Sequence, residues 1–456
     1  MAEIKKMFVF LTVFLLGVCV FVVDTYAATY KAASASYSDV SAAVFAADSG
    51  DTVVVPTGTA TWDSPLIITK GLTLMGEGVG NTVITSNITN QNSGMIAYVP
   101  ANPNLNESFQ ISGFTLDCDL KSNGILFSNP STTINNKVRI DHNRIIDPGG
   151  ENAGRAIVIW GTVYGVIDNN TIENQSNKAI DSYGRNSSSW SNLARDFGSI
   201  NNIYYEDNTF TAKGCASSCG HGGRYVARYN SYSGYTGNAT PALDAHGNQP
   251  AGYSTMVVEV YGNVFDFGGL YGGQLLDHRG GQAMVFNNNV INTGQSTYSV
   301  KIREEYDDTT VPAANPYLMH VTNSYYWNNR KNTSTLITAY IAQDTFGYKI
   351  PNDPPVLVED RDFWDENPSF DGTSGVGVGL YADMPATCTT GVGYWTTDKG
   401  GNWNIINGTT NDGCLYKCTA TNTWTLYYTP YPYPHPLRAE TKASPPETPQ
   451  NLKIVK

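Results

Sequence analysis

The stretch GVIDNNTI, residues 165–172, decides how this chain folds. β-forming residues run into an Asn, Asn170, and one further residue separates that Asn from an apolar Ile. The same unit precedes it as VRIDHNRI (138–145, with Asn143). It returns as IYYEDNTF (203–210, Asn208), YVARYNSY (225–232, Asn230), VEVYGNVF (258–265, Asn263), VFNNNVI (285–291, Asn289) and MHVTNSYY (319–326, Asn323). The intervals are 27, 38, 22, 33, 26 and 34 residues. Recurrence at this period marks a solenoid, in which short intervals are single coils and long ones are coils carrying an inserted loop. Successive coils stack at about 4.8 Å, so an Asn at a repeated bend can bond to the Asn of the next coil as an amide ladder. Seven occurrences in one local context favour such a ladder over seven unrelated turn formers.

Composition agrees. The chain has 456 residues, with 44 Gly, 29 Tyr and only 15% charged residues, and short β-rich runs broken by Asn and Gly dominate over helical periodicity. Near the N-terminus, Ser38 stands where it would cap a short helix whose Val40, Ala43, Val44 and Ala47 share a face. GDTVVVPTGT (50–59) and KGLTLMGEG (70–78) follow as short strands between glycines. A capping helix followed by these two stretches resembles the opening of the right-handed parallel β-helix proteins of the pectate-lyase-like superfamily. The resemblance covers residues 38–86 and specifies no subfamily. It implies an all-β fold, a right-handed parallel β-helix whose helix shields the first coil from edge pairing, and a prior for carbohydrate substrates.

Lys5 and Lys6 precede an apolar run from Met7 to Val23, with Ala27 and Ala28 after it. This reads as a secretory signal peptide in preference to a membrane anchor. The mature chain is then expected to be secreted, periplasmic or at the cell surface, with no membrane contact after cleavage. The net charge is −12, which argues against nucleic acid, whose binding runs on phosphate neutralisation. A polyanionic substrate would need a local basic cluster or a bridging cation.

The expected organisation is a signal peptide over 1–27, the β-helix over 28–385, an aromatic Cys-containing cap over 386–438 and a Pro-rich tail or linker over 439–456. The cap is expected to close the far end of the solenoid, with a sugar-stacking surface as the functional alternative. Without Cys19 six cysteines remain, an even number that suggests disulfides in an exported chain. The C-x-x-x-C pairs Cys215/Cys219 and Cys414/Cys418 invite local bridges, longer bridges are open, and zinc is an alternative at the first pair through His221.

Counting from the repeat, Asp244 and Asp277 each lie 14 residues after Asn230 and Asn263, and His246 and Arg279 each lie 16 after. Arg303, Glu304 and Glu305 follow in the next coil, and His221 and Arg224 precede in the coil before. A strip of ionisable groups along one face suits elimination on a uronate polymer. That reaction needs carboxylate neutralisation, a base for the C5 proton and help for the leaving oxygen. His246 is the candidate base. Arg279, or Ca²⁺ held by Asp244, Asp277 and Glu305, is the candidate neutraliser. Arg303 or His278 would serve the leaving group, and His221, Arg224 and Glu304 would bind substrate. The expected protein is a monomer acting on a polysaccharide.

Two other readings stand beside it. Asp244 and Asp277 form a carboxylate pair of the kind a glycoside hydrolase uses. GHGG (220–223) resembles the Gly-His-Gly of polygalacturonases and KIR (301–303) their Arg-Ile-Lys reversed, but their Asn-Thr-Asp and double-Asp motifs are absent upstream. The high Tyr and Trp content also suits a glycan-binding surface or matrix protein without chemistry.

Overall fold

The computed structural model describes residues 27–89, 93–129, 131–149, 154–174, 178–184, 194–211, 214–234, 241–247, 253–268, 273–291, 298–305, 320–342 and 357–439. The expected export segment up to residue 26 and the tail from 440 onward lie outside the described residues.

The chain winds as a right-handed parallel β-helix. Among the described residues, three long sheets contain twelve, ten and eleven strands, and each coil adds one strand to each. One circuit runs through Val163–Asp168, Thr171–Glu173 and Lys178–Tyr183, and the next through Ile203–Glu206, Thr209–Thr211 and Cys215–Gly220. Pairing is parallel throughout except between Arg330–Lys331 and Thr335–Leu336 at the end of the eleven-stranded sheet. Inward side chains from the three sheets fill the coil with Ile, Val and stacked rings, such as Phe210, Tyr232 and Phe265 at 4.9 and 4.8 Å between centroids.

The corner between the twelve- and eleven-stranded sheets carries the expected ladder. Asn143, Asn170, Asn208, Asn230, Asn263, Asn288 and Asn329 are buried. Each Nδ2 donates to the Oδ1 of the next at 2.8–3.1 Å. Two members differ from the sequence expectation: Asn288 replaces Asn289, and Asn329 replaces Asn323. The reason is the corner's backbone. The residue before each ladder Asn has a left-handed φ, at His142, Asn169, Asp207, Tyr229, Gly262, Asn287 and Asn328. In VFNNNVI only the middle Asn follows such a residue and turns inward, whereas Asn289 already begins the next strand. A Cβ at Gly262 would come within 2.6 Å of the Tyr229 ring, so this corner needs glycine.

At the N-terminal end the helix Tyr37–Ala46 buries Val40 and Val44 against the first coil. Its cap is Ser36, not Ser38: Ser36 is extended and its Oγ accepts from Asp39 N at 3.2 Å.

The C-terminal segment forms a four-stranded sheet of Val376–Gly379, Gly393–Thr396, Cys414–Ala420 and Thr423–Tyr428. It is an aromatic cap, but it lies along the flank of the stack instead of only closing the far end. Trp395, Trp403 and Tyr428 pack on two outward columns of the twelve-stranded sheet, one with Val166, Tyr204 and Val226 and the other with Tyr261, Phe286 and Trp327. The flank is further tied by Arg228, which is fully buried. Arg228 bonds Glu206 and donates to the carbonyls of Tyr431 (2.6 Å) and Pro432 (2.7 Å). Arg438 answers from the cap to Glu206 and Asp207 at 2.9 and 2.6 Å.

One disulfide, Cys388–Cys418, staples this cap, and Cys118, Cys215, Cys219 and Cys414 are free and buried. Neither C-x-x-x-C pair is bridged. Each pair lies along a single strand, Cys215–Gly220 or Cys414–Ala420, where four residues span about 13 Å. A disulfide needs Cα atoms within about 7 Å.

Replacing Asn230 by Ala strands the Oδ1-seeking amide of Asn208 and the carbonyl of Tyr205 that Asn230 now satisfies. Each buried group left unpaired costs about 1–3 kcal/mol, so urea unfolding of Asn230→Ala should show a clearly lower midpoint. Arg228→Met removes one side of a buried ion pair and should destabilise by about 3–5 kcal/mol. Limited proteolysis should then release the segment beyond residue 376 before the coils are cut.

Candidate active site

Side chains along a strand alternate between the coil interior and its outer face. On the ten-stranded sheet this produces two adjacent outward columns. One runs through Leu126, Val158, Asp181, Ser218, Asp244, Asp277, Lys301 and Tyr340. The other runs through Trp160, Tyr183 and Gly220. It continues to His246, Arg279 and Arg303, whose backbone N–H groups bond Cys219, Ala245 and His278 carbonyls in turn. Asp277 therefore stacks on Asp244 and Arg279 on His246, as the spacing from the ladder predicts. Arg303 sits two residues off its expected place over Asp277, which Lys301 takes, because the ladder Asn is Asn288 and a bulge between Gln274 and Leu276 shifts the register.

The charged groups interlock. Arg279 donates through Nε and Nη2 to both Asp244 oxygens at 2.9 and 2.5 Å, and through Nη1 to Glu305 Oε2 at 2.7 Å. Arg303 grips both oxygens of Asp277 at 3.1 and 2.8 Å. Two coils earlier Asp181 accepts from Arg155 Nε (2.5 Å) and the Tyr183 hydroxyl (2.9 Å), with Lys178 at 3.8 Å. Arg155, Lys178, Arg279, Lys301 and Arg303 thus oppose Asp181, Asp244, Asp277 and Glu305. Five cations meet four carboxylates here, in a chain of net charge −12.

His246 is the uncharged member. Burial, opposed by Asp244 and reinforced by Arg279, lowers its pKa below the ordinary value of 6.5. Its Nδ1 faces two acceptors, Gly247 O at 3.2 Å and Glu305 Oε2 at 3.4 Å. Nδ1 must therefore hold the proton, which leaves the lone pair on Nε2. Gly247 is required beside it: a Cβ there would meet Glu305 O at 2.4 Å. On the other side Gly220 leaves a gap in the column. A Cβ at Gly220 would stand 3.6 Å from His246 Cβ and 3.9 Å from the Tyr183 ring, so the two residues border the same space.

Several expected site residues lie elsewhere. His278 points inward and is fully buried; its Nδ1 pairs with the Tyr326 hydroxyl at 2.7 Å, and burial pushes its pKa down to about 4. Strand alternation, which carries Asp277 outward, carries His278 in, so it cannot serve a leaving group. Arg224 opens a strand of the twelve-stranded sheet, around the corner from the strip, and bonds the Ala194 carbonyl at 3.0 Å. Glu304 turns to His320 Nδ1 (3.0 Å) and Val321 N (3.3 Å). His221 does border the site, with its ring 5.1 Å from Tyr183 and 5.9 Å from Trp160. Cys219 is in the inward column of the same strand, so Cys219 and His221 do not converge on a zinc site.

The expected calcium ligands are met by cations of the chain itself. Asp244 and Asp277 each give both oxygens to a guanidinium, and Glu305 gives Oε2 to Arg279. Among the described residues no group of three or more His, Cys, Asp or Glu side chains is arranged to hold a metal. Of the carboxylate pair, Asp244 lacks the raised pKa of a hydrolase's general acid. Burial pushes the Asp244 carboxyl up, but Arg279, His246 and Lys178 outweigh it and hold the group well below the usual range.

Tyr183, Trp160, Asp181 and Lys301 were missed in the sequence. Their distances from the ladder Asn vary from coil to coil, because insertions fall between the corner and the site strand. The one available signal was the DSY of 181–183, whose alternation matches LDAH.

No family model matches this chain, and no curated protein does. Solved structures with a likeness include ORF18 of Geobacillus virus E2, at 16% identity and a TM-score of 0.35, over 68% of this chain and 58% of that one. An alginate lyase from Paenibacillus sp. is 13% identical with a TM-score of 0.40, over 70% of this chain and 99% of that one. The A-module of the Azotobacter vinelandii mannuronan C-5 epimerase AlgE4 is 14% identical with a TM-score of 0.33, over 67% and 90%. Likenesses of this order assign no chemistry to the chain. No described helix is long and apolar enough to cross a membrane.

In an NMR titration the His246 ring should change protonation below pH 6.5. Arg279→Gln should move that titration upward, since a cation that disfavours the imidazolium is removed while Glu305 stays.

Proposed function

We propose that this protein is an exported, monomeric enzyme that cleaves a uronate-containing polysaccharide by β-elimination. The observation that supports this most is His246. It is a neutral imidazole with its lone pair on Nε2, flanked by Arg279 on the outer face of the sheet and bordering the gap over Gly220.

Arg279, Arg303 and Lys301 offset the charge of the substrate carboxylate and so acidify the C5 proton. His246 Nε2 takes that proton, the C–H electrons form the C4–C5 double bond, and the C4–O bond breaks. The leaving oxygen takes a proton from the Tyr183 hydroxyl across the gap. Burial and Asp181 hold that phenol protonated, with a pKa up to about 12. Solvent then reprotonates Tyr183 and removes the proton from His246. Neutralisation rests on guanidinium and ammonium groups in this scheme, so a chelator should leave the rate unchanged.

The test is a panel of pectate, alginate and glycosaminoglycans followed by the ultraviolet absorbance of the unsaturated product. Activity on one of them should fall by about 10²-fold or more in His246→Ala. The acidic limb of its pH profile should lie below the ordinary imidazole range, because His246 must stay deprotonated to act. Reducing ends without absorbance would instead identify a hydrolase, and neither signal a glycan-binding protein.

A further inference from the structure

We infer that Trp160 and His221 form a sugar-stacking subsite on the N-terminal side of this centre, which takes a sugar by its C–H face without an ion pair. The inference rests on the reading above for the orientation of the polymer, which then lies along the helix axis.

Trp160 is the outward residue of its strand and 41% exposed, on a sheet face where most side chains are covered. Its indole is not isolated. The Tyr183 ring is 4.8 Å away at 31°, and the His221 ring closes the group from the next coil. His221 is held there at a cost. Its φ is +55°, its backbone N–H bonds Tyr253 O at 2.6 Å, and its Nδ1 is buried without a hydrogen-bond partner among the described residues.

The column order defines the subsite's chemistry. Trp160 stands two rungs from the Gly220 gap and three from His246. A rung is about 4.8 Å, so a polymer lying along the column meets Trp160 beyond the sugar at the gap. In the neighbouring column Leu126 and Val158 occupy these rungs, whereas Asp244, Asp277 and Lys301 occupy the later ones. The strip is therefore aromatic around Trp160, whereas the later rungs carry Arg279, Lys301 and Arg303 interleaved with Asp244, Asp277 and Glu305. A uronate carboxylate would be read by the guanidinium and ammonium groups of the later rungs, and an amphipathic ring by the indole.

The experiment measures binding and cleavage of pectate and alginate oligomers by wild type, Trp160→Ala and Trp160→Phe, after thermal unfolding has shown all three folded. Trp160→Ala should weaken binding about tenfold, with the kinetic loss concentrated in KM. Trp160→Phe should recover most of it. The penalty of Trp160→Ala should be the same at low and high salt, whereas that of Lys301→Ala should shrink with salt. Trp160→Ala that binds like wild type, or a penalty that salt removes, overturns the subsite. Polymer that binds through Trp160 but suffers no elimination leaves the subsite standing and refutes the reaction. Wild type that binds no oligomer refutes both.

Discussion

Every described coil from residue 138 onward turns one corner at a buried asparagine, and that amide ladder is what the rest of the structure depends on. Each Asn Oδ1 accepts from the backbone N–H and the side-chain amide of the preceding coil's Asn at once. The left-handed residue before it sets the direction of the following strand. Registry is thereby transmitted along the stack, and residues 33 apart in the chain, such as Asp244 and Asp277, come to lie side by side. A one-residue slip would turn the outward columns into the interior and bury four unpaired carboxylates.

The two outer faces shown here solve the same problem in opposite ways. The twelve-stranded sheet presents aromatic rings outward, and the C-terminal segment covers them, with Arg228 and Arg438 binding Glu206 at the seam. The ten-stranded sheet presents ionisable groups, which pair with one another instead of with a cap. Its carboxylates fix the guanidinium planes, so the cations are held in place ahead of any substrate. The group placed to accept a proton is His246, its pKa lowered by burial and its ring oriented by Gly247 O and Glu305.

Much of this was legible in the residues. The N-terminal strands at 52–55 and 73–76 were readable, as were five of the seven ladder members and the stacking of Asp244 with Asp277 and His246 with Arg279. The misreadings share one cause, local geometry that spacing does not encode. Three consecutive Asn residues hid which one turns inward at 288. That misplaced Asn and a bulge after Gln274 together displaced Arg303 by two positions. His278 and Asp277 are neighbours in sequence and lie on opposite faces of one strand.

The sequence by itself determined the coil, because a repeated β–Asn–x–apolar unit has one economical way to satisfy its buried amides. It also determined that acidic and basic groups would share a sector. The tertiary structure decided their partners: whether a carboxylate meets a guanidinium or a metal, which histidine faces out, and where a glycine leaves room. Those outcomes depend on distances of a few ångströms between strands remote in the chain, set by loop lengths and bulges that no residue spacing records.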